Sequence, residues 1–169
     1  LPNNPTNLSF KSYLLMSYND ANNVFDYSWL SQRLLTDPRL TEDTLSIKVG
    51  FNTAFTQTNF ASLNVNKIKI VHVTNDLTIT ADPVTHKILC KYPTIFLIEG
   101  NLIIYPDLNI EGDNACMFIV KDSTTIRKEN TDDRVNAFII TENYFSDYAN
   151  GTLTVVGGVI NWNTDHSVQ

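Results

Sequence analysis

The segment whose spacing comes nearest to chemistry is Asp107-Leu108-Asn109-Ile110-Glu111-Gly112-Asp113. It alternates acidic and amide side chains and carries a glycine at its sixth place, as a calcium loop begins. The bidentate glutamate that closes such a loop is missing, because the twelfth place is Phe118. A connecting loop with Asx turns and solvated acids is therefore expected, and Asp132-Asp133 and Glu42-Asp43 read as surface charge. His72, His86 and His166 are far apart, and no GxSxG elbow places a nucleophile beside any of them. Cys90 and Cys116 lie outside any CxxC pair, which argues against zinc. They read either as a disulfide or as two small buried hydrophobes. No catalytic, cofactor-binding or metal-binding residue is assigned, and no cofactor is expected.

Composition narrows the partners. The formal charge is -6, and the 12 basic residues are scattered, whereas nucleic-acid binding needs Lys and Arg gathered on one surface. No run approaches the length of a membrane span. Leu1-Pro2-Asn3-Asn4 does not open a charged, then hydrophobic leader, and a processed or trimmed chain is expected. Asn7-Leu8-Ser9 and Asn150-Gly151-Thr152 are glycan acceptor triplets, of a kind that chance supplies in a chain rich in Asn and Thr. With 43% hydrophobic and 18% charged residues the chain is globular, and its polar remainder favours strands and turns.

The elements that would position such residues fall into two parts, 1–60 and 61–169. In the first, Asp26 stands as an N-cap before a helix over residues 27–36, closed by Asp37-Pro38. From Thr44 the period changes to two, with Leu45, Ile47 and Val49 alternating with Ser46, Lys48 and Gly50, and strands continue to the end.

A strand-bend-strand unit then recurs, beginning at Ile70, Ile95, Met117 and Ala137, which step by 25, 22 and 20 positions. Leu153 laid on Phe138 adds a shorter last step of 15. Each unit is too small to bury its own apolar face and must stack on its neighbours. Stacking puts Val71, Phe96, Phe118, Phe138 and Leu153 in one column and Val73, Ile98, Val120, Ile140 and Val155 in the next. Asn75-Asp76, Gly100-Asn101, Asp122-Ser123, Glu142-Asn143 and Gly157-Gly158 fall at the bends. Uneven loops separate the units at Ala81–Tyr92, Asp107–Asn114 and Lys128–Asn136. An antiparallel sandwich has no reason to keep this grammar in register. The expected fold is mainly β: an irregular right-handed parallel β-helix of about five rungs, between Ile68 and Asn161, with the short N-terminal helix packed against it.

Thr94-Ile95-Phe96-Leu97-Ile98-Glu99-Gly100-Asn101-Leu102-Ile103-Ile104 and Leu153-Thr154-Val155-Val156-Gly157-Gly158-Val159-Ile160 carry a resemblance. They are similar to rungs of uncharacterised prokaryotic surface proteins whose β-helical domain is distantly similar to the polymer-forming bactofilins. Bactofilin rungs are shorter and more regular. The resemblance leaves residues 1–60 unexplained, implies a scaffold or assembly role, and brings no catalytic residues with it.

The outward positions of the aligned units are His72, Leu97, Ile119 and Ile139 in one row and Thr78, Ile103, Thr125 and Phe145 in another. Neither row stacks the paired carboxylates that polysaccharide cleavage needs. Leu97, Ile119, Ile139 and Phe145 instead form an apolar interaction or packing surface, to be covered by the helix or by a partner. The expectation is a non-enzymatic structural or assembly module at a cell surface or outside the cell, a self-associating filament or layer subunit whose partners are its own copies or other surface proteins. The alternative is a carbohydrate-binding or carbohydrate-cleaving protein with a groove lined by Tyr92, Tyr105, Tyr144, Tyr148 or Trp162.

Overall fold

The structure is a computed structural model that describes residues 27–36, 44–49, 54–55, 68–80, 87–90, 93–105, 107–110, 116–127, 134–143, 145–147 and 154–161. The described elements begin with helix α1 (Tyr27–Thr36), β1 (Thr44–Val49), β2 (Ala54–Phe55), β3 (Ile68–Val73), β4 (Leu77–Ile79), β5 (Lys87–Cys90) and β6 (Thr94–Ile98). They continue with β7 (Leu102–Ile104), β8 (Asp107–Ile110), β9 (Cys116–Val120), β10 (Thr124–Ile126), β11 (Arg134–Thr141), β12 (Phe145–Asp147) and β13 (Thr154–Asn161). The N-cap expected at Asp26 lies outside the described residues.

The chain is mainly β, with parallel sheets and one short helix among the described residues. An eight-stranded sheet runs β1-β3-β6-β9-β11-β8-β5, with β13 also paired to β11, and a five-stranded sheet runs β12-β10-β7-β4-β2. Every strand pair within them is parallel. Parallel partners cannot be joined by a hairpin, so the chain passes through the other sheet before it returns beside itself. β1 and β2, from the N-terminal part of the chain, pair with β3 and β4 and thus extend the same two sheets.

Two clusters form on the two faces of the larger sheet. The inner one holds Val71, Phe96, Phe118 and Ile139 together with Val73, Ile98 and Val120 and, from the smaller sheet, Leu77, Leu102, Ile79, Ile104 and Ile126. Phe96 and Phe118 stack with ring centroids 5.0 Å apart and planes at 18°. The outer cluster joins Ile70, Ile95, Leu97, Met117, Ile119 and Ile140 to Tyr27, Leu30 and Leu34 of α1. Those three helical residues recur at i, i+3 and i+7, the stripe that an amphipathic helix turns to its support. Arg33 lies over the Trp29 ring, 5.6 Å from its centre. Because both faces of the sheet are covered, β6 and β9 are buried at every position, which is why they are written as unbroken apolar runs.

The bends between the sheets are stitched by side chains. Asn101 donates from its backbone N and from Nδ2 to Asp76 Oδ1, at 2.7 and 3.1 Å, and Ser123 N donates to Asn101 Oδ1 at 3.3 Å. Asn143 Nδ2 then donates to Asp122 Oδ1 at 2.9 Å, and Thr141 Oγ1 to the Asp122 carbonyl at 2.8 Å. Gly100 is required here by close approach: a Cβ at that position would stand 2.2 Å from Asp76 Oδ1 and 2.9 Å from Asp76 N.

The register corrects the sequence-based columns by one residue from β11 onward. Ile139, not Phe138, lies opposite Phe118, and Ile140 lies opposite Ile119. Ile139 is consequently part of the inner cluster and fully buried, and it is Ile140 that faces α1. Phe145 likewise pairs with Thr124, in the column of Leu77 and Leu102, rather than with Thr125. The apolar run Ala137-Phe138-Ile139-Ile140 suits either register, and a slip by one residue exchanges the two faces without a hydrophobic signal to forbid it. The observed register is the one in which Asn143 reaches Asp122, 21 residues away in sequence, and Thr141 reaches the Asp122 carbonyl.

Two further expectations change. The last step sets Phe138 opposite Gly158, not opposite Leu153, and Gly157-Gly158 lies inside β13 rather than at a bend. The uneven loops contain strands: β5 lies within Ala81–Tyr92, β8 within Asp107–Asn114, and Arg134–Asn136 open β11. Polar alternation in Asp107-Leu108-Asn109-Ile110 suits a loop with Asx turns, yet it is equally the period of a strand, and β8 pairs in register with β5.

Candidate functional surface

The outer row is built by four strands in register, His72 beside Leu97, Leu97 beside Ile119 and Ile119 beside Ile140. Leu97 and Ile119 are almost fully buried in the cluster that α1 completes, so they are a docking face for the chain's own helix. Of the four residues assigned to an apolar surface, these two meet there. Ile139 points into the inner cluster instead, and the Phe145 side chain lies outside the described set.

At the rim of this seam His72 Nε2 stands 2.7 Å from Glu99 Oε1. The pair is partly exposed, with side chains 17% and 40% accessible, so it contributes about 1 kcal/mol or less. The Tyr27 hydroxyl lies buried in the seam, with no hydrogen-bond partner among the described residues. Burial first, and the Glu99 carboxylate second, push its pKa above the usual tyrosine value of 10.0. The native state thus holds this proton at pH values where the unfolded chain releases it, and stability falls as the pH rises past 10.0. Tyr27→Phe is expected to leave stability at pH 7 unchanged or raised by about 1 kcal/mol, since it removes an unsatisfied buried group. It should also flatten the loss above pH 10. Urea titrations at pH 7 and above pH 10 measure both, and a clear loss at pH 7 would mean that the hydroxyl has a partner.

Exposed apolar side chains gather at the end of the larger sheet. On β13, Val156, Val159 and Ile160 are 41%, 38% and 37% accessible. This strand pairs with β11 along one edge, and among the described residues no strand pairs with its other edge. The sequence reading missed this surface, because it set Gly157-Gly158 at a bend and so divided what is one continuous strand. The repeated Gly, Val and Ile of residues 155–160 with no charge among them was the available signal.

Tyr105 is exposed, and its backbone N donates to the Ile79 carbonyl at 3.0 Å. Tyr92, Tyr144, Tyr148 and Trp162, offered with it as a carbohydrate groove, lie outside the described residues, as do His86 and His166. Among the described residues no three His, Cys, Asp or Glu side chains are grouped to hold a metal ion. No described helix is long and apolar enough to cross a membrane.

Cys90 and Cys116 are thiols rather than a disulfide, both buried in the inner cluster. Burial, followed by a hydrogen bond and charge interaction with Cys90, raises the Cys116 thiol well above its ordinary range.

The fold and this surface define a class: a mainly β protein with parallel sheets, a helix laid over one face and an exposed apolar end strand. No family model, curated protein or solved structure matches the chain.

Proposed function

We propose that the parallel sheets wind as an irregular right-handed β-helix of about five rungs, and that this protein is a non-enzymatic structural module of a cell-surface or extracellular assembly. Right-handed winding follows from the strong preference of parallel crossover connections. The observation that carries the function is the end strand β13, which presents three exposed aliphatic side chains on an edge left unpaired among the described residues. All paired strands run the same way, so the β1 edge of a second copy has the polarity needed to continue the sheet beyond β13. Such addition is head to tail and yields a filament or a layer. The likeness of the rungs to bactofilin-like surface proteins supports the same reading.

Light scattering across a concentration series tests it. The mass is expected to rise above that of one chain with concentration, and Val156→Lys with Val159→Lys should hold the protein at one chain, because charge on an edge blocks strand addition. A wild-type protein that stays monomeric at the highest concentration would sink the proposal.

A further inference from the structure

Two thiols sit at strand ends inside the inner cluster. Cys90 ends β5, and the chain enters β6 at Thr94; Ile110 ends β8, and the chain enters β9 at Cys116. The register lays β8 beside β5, with Ile110 opposite Cys90, and β9 beside β6, with Cys116 opposite Thr94. Cys90 is thus the last residue of its strand and Cys116 the first of its own, set diagonally with respect to their ladder partners Ile110 and Thr94. Both side chains are 1% accessible and belong to the same core cluster. The two are also close enough to interact: burial first, then a hydrogen bond and charge interaction with Cys90, raise the Cys116 thiol well above its ordinary range.

We infer that Cys90 and Cys116 form a disulfide site, closed while the chain folds in the presence of a low-molecular-weight disulfide such as oxidised glutathione. One cysteine thiolate attacks a sulfur of the small disulfide, giving a mixed disulfide and releasing one small thiol. The second cysteine thiolate attacks the protein sulfur of that mixed disulfide and displaces the second small thiol. Two protein thiols are oxidised to one disulfide, one small disulfide is reduced to two thiols, and the two protons pass to the thiols released. Once folded, the interior excludes the oxidant, so the bond is set before the core closes.

The bond would join strands that no backbone ladder joins, since β5 pairs with β8 while β9 pairs with β6 and β11. It spans 26 positions of sequence and so removes freedom from the unfolded chain. The site is independent of self-association at β13, and its chemistry can be read in a single chain.

The test refolds the full chain from the reduced, denatured state in a glutathione redox buffer, with a parallel sample kept in a phosphine reductant. Alkylation under denaturing conditions and intact mass are expected to show both thiols lost, with a mass about 2 Da lower and no glutathione adduct. Peptide mapping should recover Cys90 joined to Cys116 within one chain. The oxidised protein should melt about 5–15 °C above the reduced one and lose that gain on reduction. Two alkylatable thiols after refolding, glutathione adducts alone, a bond between chains, or equal melting temperatures would overturn the inference. Cys116→Ala should show no oxidant-dependent shift. If that variant does not fold, the oxidised and reduced wild-type samples still decide.

Discussion

Phe118→Ala lowers the unfolding free energy by about 3–5 kcal/mol, measured as a shift of the denaturant midpoint at unchanged slope. Phe118 is fully buried, stacked on Phe96 at 5.0 Å, and placed in register between Phe96 and Ile139. Truncation removes the ring's transfer energy and leaves a void between two strands that backbone hydrogen bonds hold at fixed spacing, so the site cannot collapse to fill it. Phe118→Leu keeps much of the volume and should cost less than half as much. A loss below about 1 kcal/mol for the alanine variant would show that the column is not the core.

The same column shows how far the sequence could be read. Strand content, the bend residues and the spacing of the early units were legible, because period-two runs and Asx or Gly bends each follow from local chemistry that Asp76, Gly100 and Asn101 carry on their own. The first three units share one register, Val71 with Phe96 and Phe96 with Phe118, as the columns require. Legibility ended where the apolar run lost its alternation. Strands covered on both faces are hydrophobic at every position, so Ala137-Phe138-Ile139-Ile140 holds no record of which face is which.

The contacts that go with the observed register are polar and non-local. Thr141 takes the place opposite Val120 in the inner column, where a hydrophobe would be expected, and its hydroxyl is satisfied by the Asp122 carbonyl. A hydrogen bond between residues 19 apart leaves no periodic trace, so hydrophobic patterning alone could not find it. The helix was visible from the helical spacing of Trp29 or Leu30 with Arg33 and Leu34 between Asp26 and Asp37-Pro38, and from an outer row that needed covering, while the place of Tyr27 in the buried stripe was not. The approach of Glu99 both to His72 and to Tyr27 of the helix was not visible either, since the three lie far apart in the sequence. β5 and β8 escaped notice for a simpler reason: each is four residues long, too short for alternation to outweigh its Asp, Asn or Lys.

The end strand yields the second large effect. Gly157 adopts φ +138°, a conformation open to glycine and strained for other residues, and a Cβ there would stand 2.2 Å from the Ala137 carbonyl oxygen. Ala137 lies opposite Gly157 in the β11–β13 ladder, so the obstacle is backbone and cannot rotate away. Gly157→Ala is expected to cost about 2–3 kcal/mol, concentrated in β13 because that strand has a single partner among the described residues. Hydrogen exchange should show residues 154–161 losing protection while β6 and β9 keep theirs. Gly158→Ala is the contrasting case: its Cβ would meet the Phe138 ring at 3.1 Å, and a partly buried ring can shift, so the cost stays below about 1 kcal/mol. If β13 is also the edge that receives a second copy, Gly157→Ala abolishes the rise of mass with concentration. Unchanged exchange in 154–161 would refute the strain argument whatever the protein's state of association.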